Sequence, residues 1–399
     1  MKKAYKTFCL LFGLVLGCLG LAGCSGATDE ELPETIKIGF IGPLTGANAA
    51  EGLAARDAFL MYFEECNEQN LLPYTVEVVA YDDASIPETG KEVAENLLKD
   101  KEVLAVSGHW NSPVAEATVP LFLSAECPLV IWGAVNDSLT CEEHYPYVTR
   151  VVPTDSQENQ PLAGYVLGDL GYSKIFIITD TTSYGESNTA AFLNQMELYE
   201  AEVVGTAELE PGVTDFRDIL EEVAQSGCEA VFYGGTAQEG GMIAAQMNEM
   251  NIDNVLLFGI SGITSEEFIS SAGVSAAEGT IATSPGIDPE NSADYLDFQE
   301  KFRNYSEYNI GAFTVYAYHA GQVIAAALQD IEGAPDRQKL TEAIAGVEMD
   351  GVLGHTTFDA IGQTTNPMCY LVVCQDGGWV PYDTSEYATG VRTLPGRNS

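Results

Sequence analysis

The chain has 399 residues, with 59 Asp plus Glu against 17 Lys plus Arg and a formal net charge of −42. Hydrophobic residues make up 46%, enough for packed cores, so the acidity does not mark a disordered tail, and the length suits two or three domains. The charge argues against a nucleic-acid partner and against docking on anionic lipid headgroups, both of which need a Lys/Arg surface.

Residues 1–24 (MKKAYKTFCLLFGLVLGCLGLAGC) carry a basic start at Lys2, Lys3 and Lys6 and an apolar run from Phe8 to Leu21. The run is too short and too glycine-broken for a good spanning helix. It closes on Leu21-Ala22-Gly23-Cys24, which resembles the bacterial lipoprotein signal. That resemblance implies a signal peptide at 1–23, lipidation of Cys24 and an extracytoplasmic, membrane-anchored protein; an ordinary secretory signal is the alternative. Cleavage would remove three Lys and no acid, leaving a still more acidic chain. Residues 24–34 (CSGATDEELPE) are polar and acidic and read as a tether.

Strand and helix signals then alternate. Ile36–Gly42 (IKIGFIG) is a strand, Gly52–Glu68 a helix, Val76–Ala80 a strand and Pro87–Lys99 a helix. Val103–Ser107 and Leu129–Trp132 are strands around a helix at Pro113–Leu123. Tyr147–Asp155 (YVTRVVPTD) breaks the rhythm and reads as a crossing between domains. The alternation resumes with helix 157–170, strand Ile175–Thr179, helix 185–199, strand Glu202–Ala207, helix 215–226, strand Ala230–Tyr233, helix 238–250 and strand Val255–Phe258. Ile281–Pro285 reads as a second crossing. Helices at 292–304 and 312–331 and late strands at Gly351–Phe358 and Cys369–Cys374 complete the chain. Near-continuous apolar strands separated by helices predict parallel sheets covered on both faces. The predicted fold class is α/β, with two doubly wound parallel-sheet lobes joined by three hinge crossings. Lobe 1 takes 35–151 plus 285–350, and lobe 2 takes 152–284 plus 351–385. The cleft at the C-terminal strand ends is where such proteins bind ligands.

The chemistry inventory is thin. The four His (109, 144, 319 and 355) have no metal-motif spacing, and His319 sits in an apolar helix as a packed, hydrogen-bonded residue. No phosphate loop occurs, and Gly259-Ile260-Ser261-Gly262 has its second glycine too early for a nucleophile elbow. No cofactor and no metal are expected. Six Cys follow the tether without CxxC spacing; Cys127 and Cys141 could pair, and buried free thiols are expected for most.

Ile36–Ala55 (IKIGFIGPLTGANAAEGLAA) resembles the opening of type I periplasmic binding proteins of the branched-chain amino acid transport family. Similar anchors follow in order at Tyr81-Asp82-Asp83, Ser107-Gly108-His109, Ser183-Tyr184-Gly185, Asp215-Phe216, Phe232-Tyr233-Gly234-Gly235, Glu278-Gly279 and Gly311-Ala312-Phe313. The resemblance implies a solute-binding lipoprotein of an ABC importer, working as a monomer with permease and ATPase partners on an amino acid or related small carboxylate or amide. Two other readings stay open: a ligand sensor of the same fold that signals to a receptor, and a surface hydrolase, which would need a clustered acid–base pair.

Asn111-Ser112-Pro113 opens a helix, with Ser112 read as the cap and Pro113 at the first helical position, an end suited to a carboxylate. The resemblance assigns the ligand carboxylate to Ser112, backbone amides to Gly133 and Ala134, and a stacking ring to Tyr184, where Ser183 and Glu186 form a capping box. It places a Thr at Val135, an ammonium-binding Glu at Ser261, an aromatic at Glu51 and a Tyr at Thr236, so four expected contacts are altered. Glu51 is then the candidate for the missing charge. Trp110, beside Asn111, is a candidate wall, and Phe313 completes the candidate set. The family's early Cys pair falls at Ser85 and Asn111 and is absent.

Overall fold

A computed structural model describes residues 32–140, 145–210, 212–287 and 292–396. The first unit contains β1 (Thr35–Gly42), α1 (Ala49–Gln69), β2 (Thr75–Asp82), α2 (Pro87–Lys99), β3 (Val103–Ser107), α3 (Ser112–Ala125), β4 (Leu129–Ile131) and β5 (Val148–Arg150). The second contains α4 (Asp155–Ala163), β6 (Lys174–Asp180), α5 (Ser183–Leu198), β7 (Glu202–Leu209), α6 (Arg217–Ser226), β8 (Ala230–Gly234), α7 (Ala237–Glu249), β9 (Leu256–Gly259), α8 (Glu266–Ala272), a helical turn α9 (Val274–Ala277) and β10 (Ile281–Pro285). The chain then adds α10 (Ala293–Tyr305), α11 (Thr314–Gln329), α12 (Arg337–Ala345), β11 (Met349–Gly351), β12 (Gly354–Thr356), β13 (Cys369–Gln375) and β14 (Gly378–Pro381).

The first sheet is parallel throughout, in the order β2-β1-β3-β4-β5. Both of its faces are covered, so its strands read as apolar runs. Ile36, Ile38 and Phe40 pack on one side with Phe59, Phe63 and Trp132, while Ile41 packs on the other with Leu97, Val106 and Phe122. Gly39 sits under α2, where a Cβ would lie 2.7 Å from Leu97. The second sheet runs β14-β13-β10-β9-β8-β6-β7, parallel from β7 to β10 and antiparallel through β13 and β14. Phe192 stacks on Phe232 at 4.1 Å, and Phe258 meets both edge to face. The fold is thus two α/β units with the predicted sheet types.

Three sequence-based expectations need correction. Ile281–Pro285 is not a crossing but a fully buried strand between β9 and β13; its antiparallel partner lies far along the chain, which local pattern cannot reveal. Residues 351–356, expected with lobe 2, form a hairpin with Met349–Gly351 that packs on α11, so the chain crosses back only after Thr356. Within Tyr147–Asp155, Val148–Arg150 is the edge strand of the first sheet, and only the residues after it cross.

Cys24 and most of the 24–34 tether lie outside the described residues, as does Cys141. Cys127 is a buried free thiol, and Cys66, Cys228, Cys369 and Cys374 are also free. His319 is buried between Gln322 (3.1 Å) and Thr356 (2.9 Å), and burial pushes its pKa down to about 4. Among the described residues, no helix is long and apolar enough to cross a membrane.

Candidate functional site

The carboxyl ends of the parallel strands in the two sheets face each other, and the loops that leave them build one cavity. From the first sheet come the loop after β3, carrying Trp110 and Asn111, and the loop after β4, carrying Gly133 and Val135. From the second come the turn after β6 with Tyr184, the turn after β8 with Thr236, and the turn after β9 with Ser261 and Gly262. The space left between them is small, about 20 Å³.

Buried side chains fix the first wall. His109 Nδ1 pairs with Asp83 at 2.8 Å and Nε2 with Thr118 at 2.9 Å, all three fully buried. The His109 carbonyl accepts from Ala134 N at 3.0 Å, which ties the two loops together. Gly133 permits that approach, since a Cβ there would lie 2.7 Å from Trp110 Cα. The α3 cap is displaced by one residue from expectation. Asn111 is the extended N-cap, Ser112 is the first helical residue and Pro113 the second. Ser112 Oγ does not cap; it accepts from Asn136 N at 3.3 Å, across to the next loop. Trp110 meets Phe313 edge to face at 6.3 Å, closing one side with aromatic surface.

The α5 start is also shifted. Thr182, not Ser183, is the N-cap, accepting from Gly185 N at 3.2 Å. Asp and Thr neighbours compete for that position, and Asp180 holds Thr182 N at 2.9 Å. Tyr184 is buried and its hydroxyl has no partner. Thr236 begins α7 and donates to Glu239 at 3.1 Å. Two hydrogen bonds cross the cleft: Asn136 Nδ2 to the Ser183 carbonyl at 3.1 Å, and Asn309 Nδ2 to Glu266 at 2.9 Å. The structure is therefore a closed form.

Trp110, Asn111, Ser112, Gly133, Val135, Tyr184, Thr236, Ser261 and Phe313 all line the cavity. Two candidates do not. Ala134 is buried in the core with Ile41 and Phe122, and its carbonyl accepts from Arg150. Glu51 lies behind Phe313 and accepts from Phe313 N at 2.9 Å. Gly311 packs against it so tightly that a Cβ would fall 1.9 Å from Glu51 Oε2. Burial pushes the Glu51 pKa up to about 7, opposed by the Phe313 amide. Glu51 is thus an anchor for the Phe313 loop rather than a wall.

Sequence reasoning missed two buried acids on α4, one of which holds the backbone of the cavity residue Ser261. Glu158 is fully buried, and its Oε2 accepts from Ser261 N at 3.1 Å while Oε1 has no partner. Asp155, one turn earlier on α4, is also fully buried with neither oxygen hydrogen-bonded. Burial raises Glu158 to about 7, against the pull of Ser261. Burial also holds Asp155 well above the usual carboxylate range, with Ser187 and Arg150 opposing and Asp137 and Glu158 reinforcing the shift. In sequence both looked like the acidic first turn of a solvated helix.

The cavity lining carries no charged side chain, and no cluster among the described residues could hold a metal ion. Asp83, His109 and Thr118 form a relay-like string, but they are buried away from the cavity, and Thr118 Oγ1 is also close to the Val114 and Ala115 carbonyls of its own helix. Residues 35–378 match the periplasmic binding protein family. The chain belongs to that family. Among curated relatives of this periplasmic binding protein is a leucine-, isoleucine-, valine-, threonine- and alanine-binding protein of Pseudomonas aeruginosa, 28% identical over 92% of this chain and 95% of that one. A Leu/Ile/Val-binding protein homolog of Brucella suis is 29% identical over 90% and 94%. Among solved structures, the substrate-binding protein of a branched-chain amino acid transporter from Streptococcus pneumoniae, in complex with isoleucine, is 27% identical with a TM-score of 0.79, covering 86% of this chain and 97% of that one. Both curated relatives are binding proteins, and the solved structure is that of a transporter's substrate-binding protein.

Gly262 leaves room for Tyr184 within the second unit's wall of the cavity. A Cβ there would lie 2.2 Å from the Tyr184 hydroxyl and 2.7 Å from the Gly235 carbonyl. Gly262→Ala is expected to push Tyr184 into the cavity. The overpacking costs about 1–3 kcal/mol, and the displaced ring is expected to lower ligand affinity roughly tenfold or more by calorimetry, with the far-UV spectrum unchanged.

Proposed function

We propose that the protein is the solute-binding lipoprotein of an ABC importer. Lipidated at Cys24, it is held on the extracytoplasmic face of a bacterial membrane and captures an amino acid, or a related small carboxylate or amide, for a permease and its ATPase. It works as a monomer. The observation that carries this reading is the closed cavity between the two sheets. One wall is the start of α3 at Ser112, whose dipole and first-turn N–H groups suit a carboxylate. The opposite wall is Tyr184, Thr236 and Ser261. The isoleucine held by the 27%-identical relative supports a small amino-acid-like ligand.

Closure works by differential affinity. Only a ligand that binds the closed form better than the open one shifts the hinge equilibrium. Asn136 and Asn309 supply cross-cleft bonds that exist only when the lobes are together. Val135 on the cavity wall replaces a hydroxyl contact with apolar surface, which favours a ligand with an apolar side on that wall.

A thermal-shift screen of the chain from Ser25 onward tests the reading. α-Amino acids, their amides and small carboxylates form the panel. A ligand at 100 times its dissociation constant is expected to stabilise by about 2.7 kcal/mol. No response across all three classes would overturn it.

A further inference from the structure

We propose that the loop joining α10 to α11, residues 306–313, is a lid over the cavity, clipped to α1 by two carboxylates, and that Glu51 governs ligand selectivity through this clip. The inference rests on the reading of the cavity as a solute site. Both ends of the loop are tied to α1. Ser306 Oγ donates to Asp57 Oδ2 at 2.7 Å and accepts from Tyr308 N at 3.1 Å. At the other end Phe313 N donates to Glu51 Oε1 at 2.9 Å, and Gly311 N donates to Thr314 Oγ1 at 2.8 Å. Two glycines permit the clip. A Cβ at Gly52 would lie 1.9 Å from the Pro43 carbonyl oxygen, so the start of α1 can come down on the chain leaving β1. A Cβ at Gly311 would lie 1.9 Å from Glu51 Oε2, so the loop can lie directly on that carboxylate.

The rest of the loop faces the cleft. Asn309 Nδ2 reaches across it to Glu266, at the start of α8, at 2.9 Å. Phe313 is buried, lines the cavity and meets Trp110 edge to face at 6.3 Å. One short loop therefore carries both a cavity wall and a cross-cleft bond, while its ends belong to the first unit. It travels with α1 and meets the second unit only on closure. Glu51 itself is not part of the cavity lining, so it acts on a ligand only by placing Phe313. The space left in the cavity is about 20 Å³, and a shift of the Phe313 ring changes which ligands the closed form accommodates. Without an acceptor at position 51 the Phe313 N–H must find water. The loop meets that need by lifting off α1, which draws the aromatic wall back and makes room for a bulkier ligand at the expense of a small one.

Hydrogen exchange on the ligand-free chain from Ser25 onward tests the clip. Segment 306–313 is expected to exchange slowly in the unmodified protein and in Glu51→Gln, whose amide oxygen still accepts from Phe313 N. In Glu51→Leu, which fills the space without an acceptor, it is expected to exchange at least about tenfold faster. Calorimetric titration with alanine, isoleucine and phenylalanine reads the selectivity. Glu51→Leu is expected to bind the smaller probe more weakly and to raise the affinity ratio of larger to smaller probe at least about fivefold. Glu51→Gln is expected to keep the unmodified ratio, and Gly311→Ala, which forces the loop off Glu51 from the other side, to shift it as Glu51→Leu does. A loss shared equally by all probes, or a loop that exchanges no faster in Glu51→Leu, overturns the lid. Binding of fewer than two of the probes by the unmodified protein overturns the selectivity claim and leaves the solute-binding reading to the amides and carboxylates of its wider panel.

Discussion

Replacing Arg150 by Met is expected to lower the unfolding free energy by about 3–5 kcal/mol. Arg150 ends β5 and is fully buried. Its Nη1 donates to the Asn136 carbonyl at 2.6 Å and to the Ala134 carbonyl at 3.3 Å, its Nε donates to Gln363 Oε1 at 2.7 Å, and Nη2 meets Thr140. These partners come from two places far apart in the chain. The loop after β4 forms a cavity wall, and Gln363 belongs to the segment that returns toward β13. That segment is stitched on both sides of Arg150, by its N–H to the Gly362 carbonyl at 2.8 Å and its carbonyl to Thr364 N at 3.0 Å. Met fills comparable space but removes the guanidinium donor from the Ala134 carbonyl, and it leaves the Asn136 carbonyl with Leu139 N alone and Gln363 Oε1 with Thr140 alone. Lys would restore the charge without the forked donors that reach all of them. Because Ala134 and Asn136 flank Val135, ligand affinity is expected to fall along with stability. Equilibrium urea unfolding reads the first effect and calorimetry the second; a loss below about 1 kcal/mol would show that the hinge does not depend on this guanidinium.

The strands that sheets bury on both faces were readable from the chain. Ile36–Gly42 and Val103–Ser107 are apolar because α1, α2 and α3 cover them on both sides. Most of the cavity lining was reachable as well, since it sits on loops at the carboxyl ends of those strands and on the ordered anchors of the resemblance. The failures share a cause in long-range contact. Ile281–Pro285 is stabilised by a strand that the chain forms only after three more helices. Ser112 and Ser183 were misplaced as caps because each has a neighbour, Asn111 or Thr182, equally able to start the helix. Glu51 was drawn into the cavity on sequence alone, yet the loop at Gly311–Phe313, 260 residues later, folds over it and takes its carboxylate. Glu158 was invisible because acids in a helix first turn usually face solvent. Here α4 lies against β10, β13 and α5, and its acidic face is the inner one.

The stability of the ligand-free protein is expected to fall as pH rises from about 5 to 8. Burial raises Glu51 and Glu158 to about 7 and Asp180 to about 6, and it holds Asp155 well above its ordinary value. A folded-state pKa above the unfolded value means that the native state binds the proton more tightly. The stability this contributes is complete below about pH 4.5 and is lost as pH climbs through about 7. For the fully buried Glu158 the loss is on the order of 3 kcal/mol. His319, lowered to about 4 by burial, works in the opposite sense: its contribution is present above pH 6.5 and is lost on acidification toward 4. One His opposes several acids, and the large negative net charge adds self-repulsion at high pH, so the acids set the sign. The groups that face Glu158 are Asp155 on α4, Tyr184 on α5, Cys369 on β13 and Tyr316 on α11. The two tyrosines are held well above their ordinary range and the thiol is pushed up to about 12, so none of these three changes charge as Glu158 titrates near 7. Equilibrium urea unfolding at pH 5 and at pH 8 reads the difference. Glu158→Gln should flatten part of the dependence, and a stability that stays constant from pH 5 to 8 in the unmodified protein would show that the folded state does not hold these protons more tightly than the unfolded chain.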